Sequence, residues 1–213
     1  MSELTAGSAA SVKGKATLDQ VLACAARGIL HLGGWRVIGR LPNIPRCIVI
    51  FAPHTSNWDL PLMLLTELAL GRRVYYLAKH TLFRGPFAWL LRWTGGIPVD
   101  RRHPHRVVSA MRELFATRPE LWLALAPEGT RAKTDHWKSG FYYLAVEAGV
   151  PVLLAYLDTK TKTCGTGSLL TLSGAVDDDL EQIRAFYADK CGIRPELASE
   201  IRFRPCGAEN RLS

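Results

Sequence analysis

His54 and Asp59 sit near the two ends of the stretch Pro-His-Thr-Ser-Asn-Trp-Asp at 53–59, and about seventy residues later the chain reads Pro-Glu-Gly-Thr-Arg at 127–131. An imidazole with a carboxylate five residues on can act as a base. The carboxylate accepts one ring N–H, fixes the tautomer, raises the basicity of the other nitrogen and stabilises the imidazolium formed on proton uptake. The same residues are equally ordinary helix-start chemistry, because Ser56 followed three residues later by Asp59 is a capping-box-like arrangement. Pro-Glu-Gly-Thr is likewise common turn material, with Gly129 free to take positive φ. Arg131 follows at once, however, and Lys133, Lys138 and the small pair Ser139-Gly140 come soon after. A glycine turn flanked by cations suits a phosphate monoester, and Glu128 could hydrogen-bond a hydroxyl or brace those cations.

Such residues need elements that bring them together. Arg46–Ala52 is a short, continuous apolar run of β-branched character and reads as a buried strand ending just before Pro53. By periodicity and punctuation, helices are expected over 60–70, 107–117, 141–148 and 176–188, and strands over 74–78, 121–126, 151–157 and 169–172. Strands and helices alternate, so the fold class is α/β: a single domain with a largely parallel central sheet flanked by helices. In such sheets ligand-binding and catalytic residues collect on the loops at the strands' carboxyl ends, where both motifs fall. Two adjacent parallel strands would close the gap between them. Residues 17–40 read as an N-terminal docking or membrane-surface helix, with Thr17 and Asp19 at its start and Gly28, Gly33 and Gly34 weakening its end; 1–16 are expected to be flexible.

With 213 residues, 48% of them hydrophobic, the chain can bury a sizeable core, which argues against disorder. Its five cysteines are odd in number and include no C-x-x-C pair, so neither a zinc site nor a disulfide framework is expected and a reducing, cytoplasmic compartment fits. No apolar run nears the ~20 residues that cross a bilayer. The formal charge of +8 resides wholly between Gly71 and Arg112, where nine Lys/Arg face the single acid Asp100. A field of that kind suits phosphates of nucleic acid, lipid headgroups or a small substrate. Within it Arg84 and Arg92 are interleaved with Phe87, Trp89 and Trp93, as in an element lying against a headgroup layer. Burial of these aromatics inside the protein accounts for the pattern equally well.

Taken in order, His54-Thr-Ser-Asn-Trp-Asp59, Gly95-Gly-Ile-Pro-Val-Asp-Arg101, Pro127-Glu-Gly-Thr-Arg131 and Gly149-Val-Pro-Val152 resemble the four sequence blocks of the glycerolipid acyltransferases, typified by the 1-acylglycerol-3-phosphate acyltransferases. The resemblance covers roughly 45–155 and implies a glycerol-phosphate acyltransferase-like fold, with 41–213 as the acyltransferase domain. It also implies that His54 is the general base, Asp59 its orienting partner, and Arg101, Glu128, Gly129 and Arg131 the holders of a phosphate-bearing acceptor. Thr130 and Lys138 join them as substrate-binding candidates. The first block departs from the family's usual Asn or Ser after the histidine, and Trp58 and Trp137-Lys-Ser-Gly140 suggest a distinct branch.

The reaction so implied moves a fatty acyl chain from acyl-CoA or acyl carrier protein to a hydroxyl of a lysophospholipid, with 1-acylglycerol-3-phosphate the leading acceptor and phospholipid biosynthesis the setting, and with no cofactor beyond the acyl donor. The enzyme would sit peripherally on the cytoplasmic face of a membrane, held by the basic-aromatic segment. Asp177, Asp178 and Asp179 resemble a metal cluster, but acids at a helix start complement the macrodipole, and no metal is expected. Cys47 lies inside a predicted strand, which disfavours an acyl-cysteine route. An enzyme acting on a different lysolipid, and a non-catalytic lipid-surface or nucleic-acid-binding protein, are the rivals. No nucleic-acid motif is visible, so nucleic acid is not an expected partner.

Overall fold

The computed structural model of the chain describes residues 4–100 and 104–204, together with the side chains of 18–100 and 107–204. Seven strands form one sheet: β1 (Arg36–Ile38), β2 (Arg46–Ala52), β3 (Tyr75–Lys79), β4 (Gly96–Val99), β5 (Leu121–Leu125), β6 (Val152–Asp158) and β7 (Thr163–Leu170). Their order across the sheet is β1-β7-β6-β2-β5-β3-β4. The run from β6 to β4 is parallel throughout, while β7 turns back antiparallel to β6 and carries β1 alongside it. The expected α/β class and largely parallel sheet are therefore observed.

Residue alternation along the central strands builds two cores. Ile48, Ile50, Leu121, Leu123, Val152 and Leu154 face one side, where they pack with Met111 and Phe115 of α4 (Pro104–Thr117), Phe141 and Tyr142 of α5 (Gly140–Ala148) and Leu180 and Ile183 of α6 (Val176–Tyr187). Cys47, Val49, Phe51, Trp122, Ala124, Leu153 and Ala155 face the other. There they meet Ala26 and Leu30 of α1 (Leu4–Leu32), Ala69 of α2 (Asp59–Leu70) and, half-buried, Leu91 of α3 (Ala88–Trp93). Being covered on both faces is what makes β2 and β6 unbroken apolar runs rather than alternating ones. Pro98 is accommodated in β4 because that strand closes one edge of the sheet.

Three expectations need correction. The N-terminal helix begins at Leu4 rather than after residue 16, since the Ala- and Lys-containing stretch has no breaker strong enough to stop it, and it ends at Leu32 rather than 40. Gly34 takes φ 78°, and the chain then enters β1, which pairs with β7 and so joins the sheet to residues placed outside the domain. Finally, of the strand expected at 169–172 only Leu169 and Leu170 are strand, as the end of the longer β7, whose first part, Thr-Cys-Gly-Thr-Gly, is too rich in small residues to read as a strand.

Candidate active site

Register in the sheet sets up the site. β2 pairs on one side with β5 and on the other with β6, so the loops leaving the carboxyl ends of β2 and β5 are neighbours. His54 stands just beyond β2 and Glu128 just beyond β5. They touch directly: the His54 backbone N–H donates to Glu128 Oε1 at 2.7 Å.

Asp59 opens α2 with its side chain fully buried, and its Oδ2 lies 3.1 Å from His54 Nδ1, while the imidazole keeps 18% of its surface exposed. The contact falls short of hydrogen-bond alignment, and Asp59 Oδ1 has no partner. Catalytic hydrogen bonds of this kind commonly tighten only when substrate is bound. Oδ2 also accepts the Ser56 N–H at 2.8 Å, and Ser56 Oγ accepts the Trp58 N–H at 3.2 Å. The helix-start role and the base-orienting geometry thus coexist on one carboxylate oxygen. Phe51 meets the His54 ring edge to face at 6.4 Å, which fixes the ring's other flank.

The second motif is a turn closed by Gly129 N–H on the Ala126 carbonyl, with Gly129 at φ 69°. A Cβ on Gly129 would lie 3.3 Å from Lys138 Cγ, so the lysine stem packs directly over the glycine. Lys138 N–H donates to the Pro127 carbonyl and Thr130 Oγ1 accepts the Ala132 N–H, which holds 127–138 as one compact unit. Arg131 and Lys138 are exposed, and among the described residues neither is engaged in an ion pair. Glu128 is buried, at 1% exposure. Burial pushes its carboxyl up from the usual range, opposed by the His54 N–H, the Ser199 hydroxyl and the nearby imidazole.

Of the residues singled out by sequence, His54, Asp59 and Glu128 are thus in contact, and Gly129, Thr130, Arg131 and Lys138 form the adjoining turn. Arg101 lies outside the described residues. Phe87, Trp89 and Trp93 are 67%, 67% and 54% exposed, so burial in the core is not their role. Arg84 and Arg92 are exposed beside them, with the Arg92 guanidinium over the Phe83 ring. Cys47 is fully buried and its thiol is pushed up to about 12 by burial, against the charge of Arg72, so it stays protonated. Asp179 is occupied by Ser173 N–H and Oγ, the Gly174 N–H and the Tyr142 hydroxyl. Although burial pushes its carboxyl up, those donors prevail and hold it below the ordinary value.

Sequence reasoning missed the contribution of the C-terminal segment. Arg194 N–H donates to Thr55 Oγ1 at 3.1 Å, and Ser199 Oγ donates to Glu128 Oε2 at 3.1 Å. Neither residue carries a motif or periodicity that marks it. A narrow apolar cavity also lies between the sheet and α2, lined by Phe51, Val49, Ala124, Ala155, Met63 and Trp122 among others, with Glu67 and Arg72 on its wall. Phe51 is common to this cavity and to the His54 ring contact.

A histidine–carboxylate pair beside a cation-flanked glycine turn, all at the carboxyl edge of a parallel sheet, is equipped to deprotonate a hydroxyl on a phosphate-bearing molecule. The chain matches the acyltransferase family over residues 37–156, and it belongs to that family. It is 26% identical over 136 residues to the 1-acyl-sn-glycerol-3-phosphate acyltransferase of Streptococcus pneumoniae, covering 60% of this chain and 50% of that one. It is 28% identical over 142 residues to the human 1-acyl-sn-glycerol-3-phosphate acyltransferase beta, covering 64% and 50%. It is 30% identical over 158 residues to the probable 1-acyl-sn-glycerol-3-phosphate acyltransferase 5 of Arabidopsis thaliana, covering 68% and 39%. The match therefore spans half or less of the length of these relatives. In fold it resembles the 1-acyl-sn-glycerophosphate acyltransferase PlsC of Thermotoga maritima, with a TM-score of 0.57 at 19% identity over 84% of this chain and 78% of that one.

Proposed function

We propose that the protein transfers a fatty acyl chain from an acyl thioester, acyl-CoA or acyl carrier protein, to the free hydroxyl of 1-acylglycerol-3-phosphate. The observation that carries this reading is the His54–Asp59 contact at 3.1 Å on a loop bonded to Glu128. His54 Nε2 takes the proton of the acceptor hydroxyl while Asp59 stabilises the imidazolium. The acceptor oxygen attacks the thioester carbonyl, the tetrahedral oxyanion collapses, the C–S bond breaks, and the thiolate leaves with the proton returned from His54. Arg131 and Lys138, with Arg101, hold the acceptor's phosphate so that attack is effectively intramolecular. The names of the relatives support the acceptor, and the apolar cavity that Phe51 helps to line is suited to the acyl chain.

The substrate is greasy, and the protein presents greasy surface. Trp89, Trp93 and Phe87 around α3, and Leu18, Val21, Ile29 and Leu32 on α1, are all exposed on elements covering the same face of the sheet. Among the described residues no helix is long and apolar enough to cross a membrane. Peripheral attachment to an anionic leaflet, with Arg84 and Arg92 on headgroups, fits both facts.

Thiol release from acyl-CoA, measured against 1-acylglycerol-3-phosphate and lysolipids without a terminal phosphate, tests the reaction and acceptor together. We expect release dependent on the phosphorylated acceptor and abolished in folded His54→Ala. Release as fast in His54→Ala as in the parent refutes the base assignment, and preference for another lysolipid refutes the acceptor. Flotation with anionic vesicles at low salt checks attachment, which absence of co-flotation rules out.

A further inference from the structure

The family match ends at Tyr156, yet residues well beyond it lie over the carboxyl edge of the sheet. After α6 the chain crosses the exits of three adjacent strands. At β6, Cys191 N–H donates to Asp158 Oδ1 at 3.1 Å, and the Cys191 carbonyl accepts the Thr159 N–H at 2.8 Å. At β2, Arg194 N–H reaches Thr55 Oγ1, and Gly192 approaches so closely that a Cβ there would lie 2.8 Å from the same oxygen. At β5, Ser199 Oγ reaches Glu128 Oε2. Trp137 N–H on the Arg202 carbonyl, and the Arg184 guanidinium on the Ile201 carbonyl, fasten the segment at its far end.

We propose that residues 191–199 are a clamp that holds the two motif loops in register, and that Ser199 is a positioning residue for His54, acting through Glu128. The carboxylate is gripped at both oxygens, Oε1 by the His54 N–H at 2.7 Å and Oε2 by the Ser199 hydroxyl at 3.1 Å. Fixing one oxygen fixes the other, so the hydroxyl sets where the His54 backbone sits. Glu128 and Thr55 are each 1% exposed, which leaves no solvent to substitute for a lost donor. The ionisable groups around Glu128 are His54 on the β2 loop and Tyr187 on α6, whose hydroxyl is committed to the Ile50 and Ala155 carbonyls. Ser199 is therefore the neutral donor that favours the ionised carboxylate from the C-terminal side.

The kinetic part of the test rests on the acyl-transfer reading; a second readout does not. Ser199→Ala should lower kcat roughly 10–100-fold, the loss expected when a buried charged group forfeits a hydrogen bond. Acceptor KM should stay within about threefold, as for an interaction felt in the transition state. The acid limb of the kcat profile should move to higher pH, because Glu128 then keeps its proton longer. Ser199→Thr, which retains the hydroxyl, should restore both. Hydrogen exchange of the His54 amide should quicken in Ser199→Ala alone. Parental kcat in Ser199→Ala, or a loss with an unmoved acid limb, overturns the proposal. If the parent transfers no acyl chain, the acyl-transfer reading fails, and His54 amide exchange still decides the clamp: quickened exchange upholds it and unchanged exchange overturns it.

Discussion

Asp59→Asn separates the two duties of one buried carboxylate. The substitution keeps an oxygen able to accept the Ser56 N–H, so the start of α2 survives, but it removes the negative charge 3.1 Å from His54 Nδ1. At that separation, with an effective dielectric constant of about 20, a full charge pair is worth roughly 5 kcal/mol. An amide oxygen in the same place returns about 1–2 kcal/mol as a neutral hydrogen bond. The remaining deficit of about 3–4 kcal/mol corresponds to a roughly 10²–10³-fold fall in kcat. Acceptor KM should hardly change, since the lost interaction matures only as the imidazolium forms. Folding should be little affected, because the carboxamide replaces an already unpartnered buried oxygen and removes a buried charge; Tm should stay within about 4 °C of the parent. Steady-state thiol release over a range of acceptor concentrations, with a thermal melt on the same preparation, measures all three quantities. A folded Asp59→Asn protein whose kcat lies within tenfold of the parent would refute the orienting role.

Other perturbations address the rest of the site. Arg131→Ala should raise KM for 1-acylglycerol-3-phosphate about 10–100-fold and leave a lysolipid without a terminal phosphate unaffected, as expected for the loss of a charge-assisted hydrogen bond; equal losses on both acceptors would remove it from the phosphate site. Ala124→Phe fills the cavity between the sheet and α2, and should shift donor preference toward shorter acyl-CoA at an overpacking cost of about 1–3 kcal/mol. An unchanged chain-length profile would detach that cavity from the acyl chain. Glu67 has its carboxyl pushed up to about 8 by burial, opposed by its bond from the Val74 N–H and by the Arg73 charge. The folded protein thus holds a proton that the unfolded chain releases near the ordinary value of 4.5. Its contribution to stability is complete below the unfolded value and is lost as pH rises through the folded one, at no more than about 1.4 kcal/mol per pH unit. Glu67→Gln should flatten that decline in chemical-denaturation curves, and an unaltered slope would show that the carboxyl is already ionised.

Much of this arrangement is legible in the sequence because it is local. Arg46–Ala52 is buried on both faces and therefore reads as a strand from its residues alone, with the observed bounds. The next step, adjacency of β2 and β5, follows from the alternation of strands and helices, which places both motifs at one edge. What local reading could not reach depends on distant partners. Cys164 and Gly165 belong to a strand only because β6 and β1 flank them, and a Cβ on Gly165 would strike the Ile38 carbonyl. Ser199 is an unremarkable serine until the fold sets it on Glu128, 71 residues away. The exposure of Trp89 and Trp93 was undecidable for the same reason, since an all-round apolar helix suits either a core or an interface.

The two faces of the sheet differ in a way that bears on the proposed membrane attachment. The face under α4, α5 and α6 is closed by large side chains in mutual edge-to-face contact, including Trp137, Phe141, Tyr142, Tyr187 and Phe203. The opposite face carries both the apolar cavity and the exposed residues of α1 and α3. His54 stands at the rim between them, and its ring leans on Phe51, which belongs to the cavity face. On the proposed reading, a membrane lying against α1 and α3 adjoins the face that carries the cavity, and the glycine turn at 127–131 stands beside His54 with Arg131 exposed to solvent. Trp89→Ala and Trp93→Ala together should accordingly weaken vesicle binding and lower turnover of vesicle-borne acceptor, yet spare turnover of a short-chain acceptor dissolved as monomers. Equal loss on both acceptors would mean that α3 supports the site itself rather than its approach to the membrane.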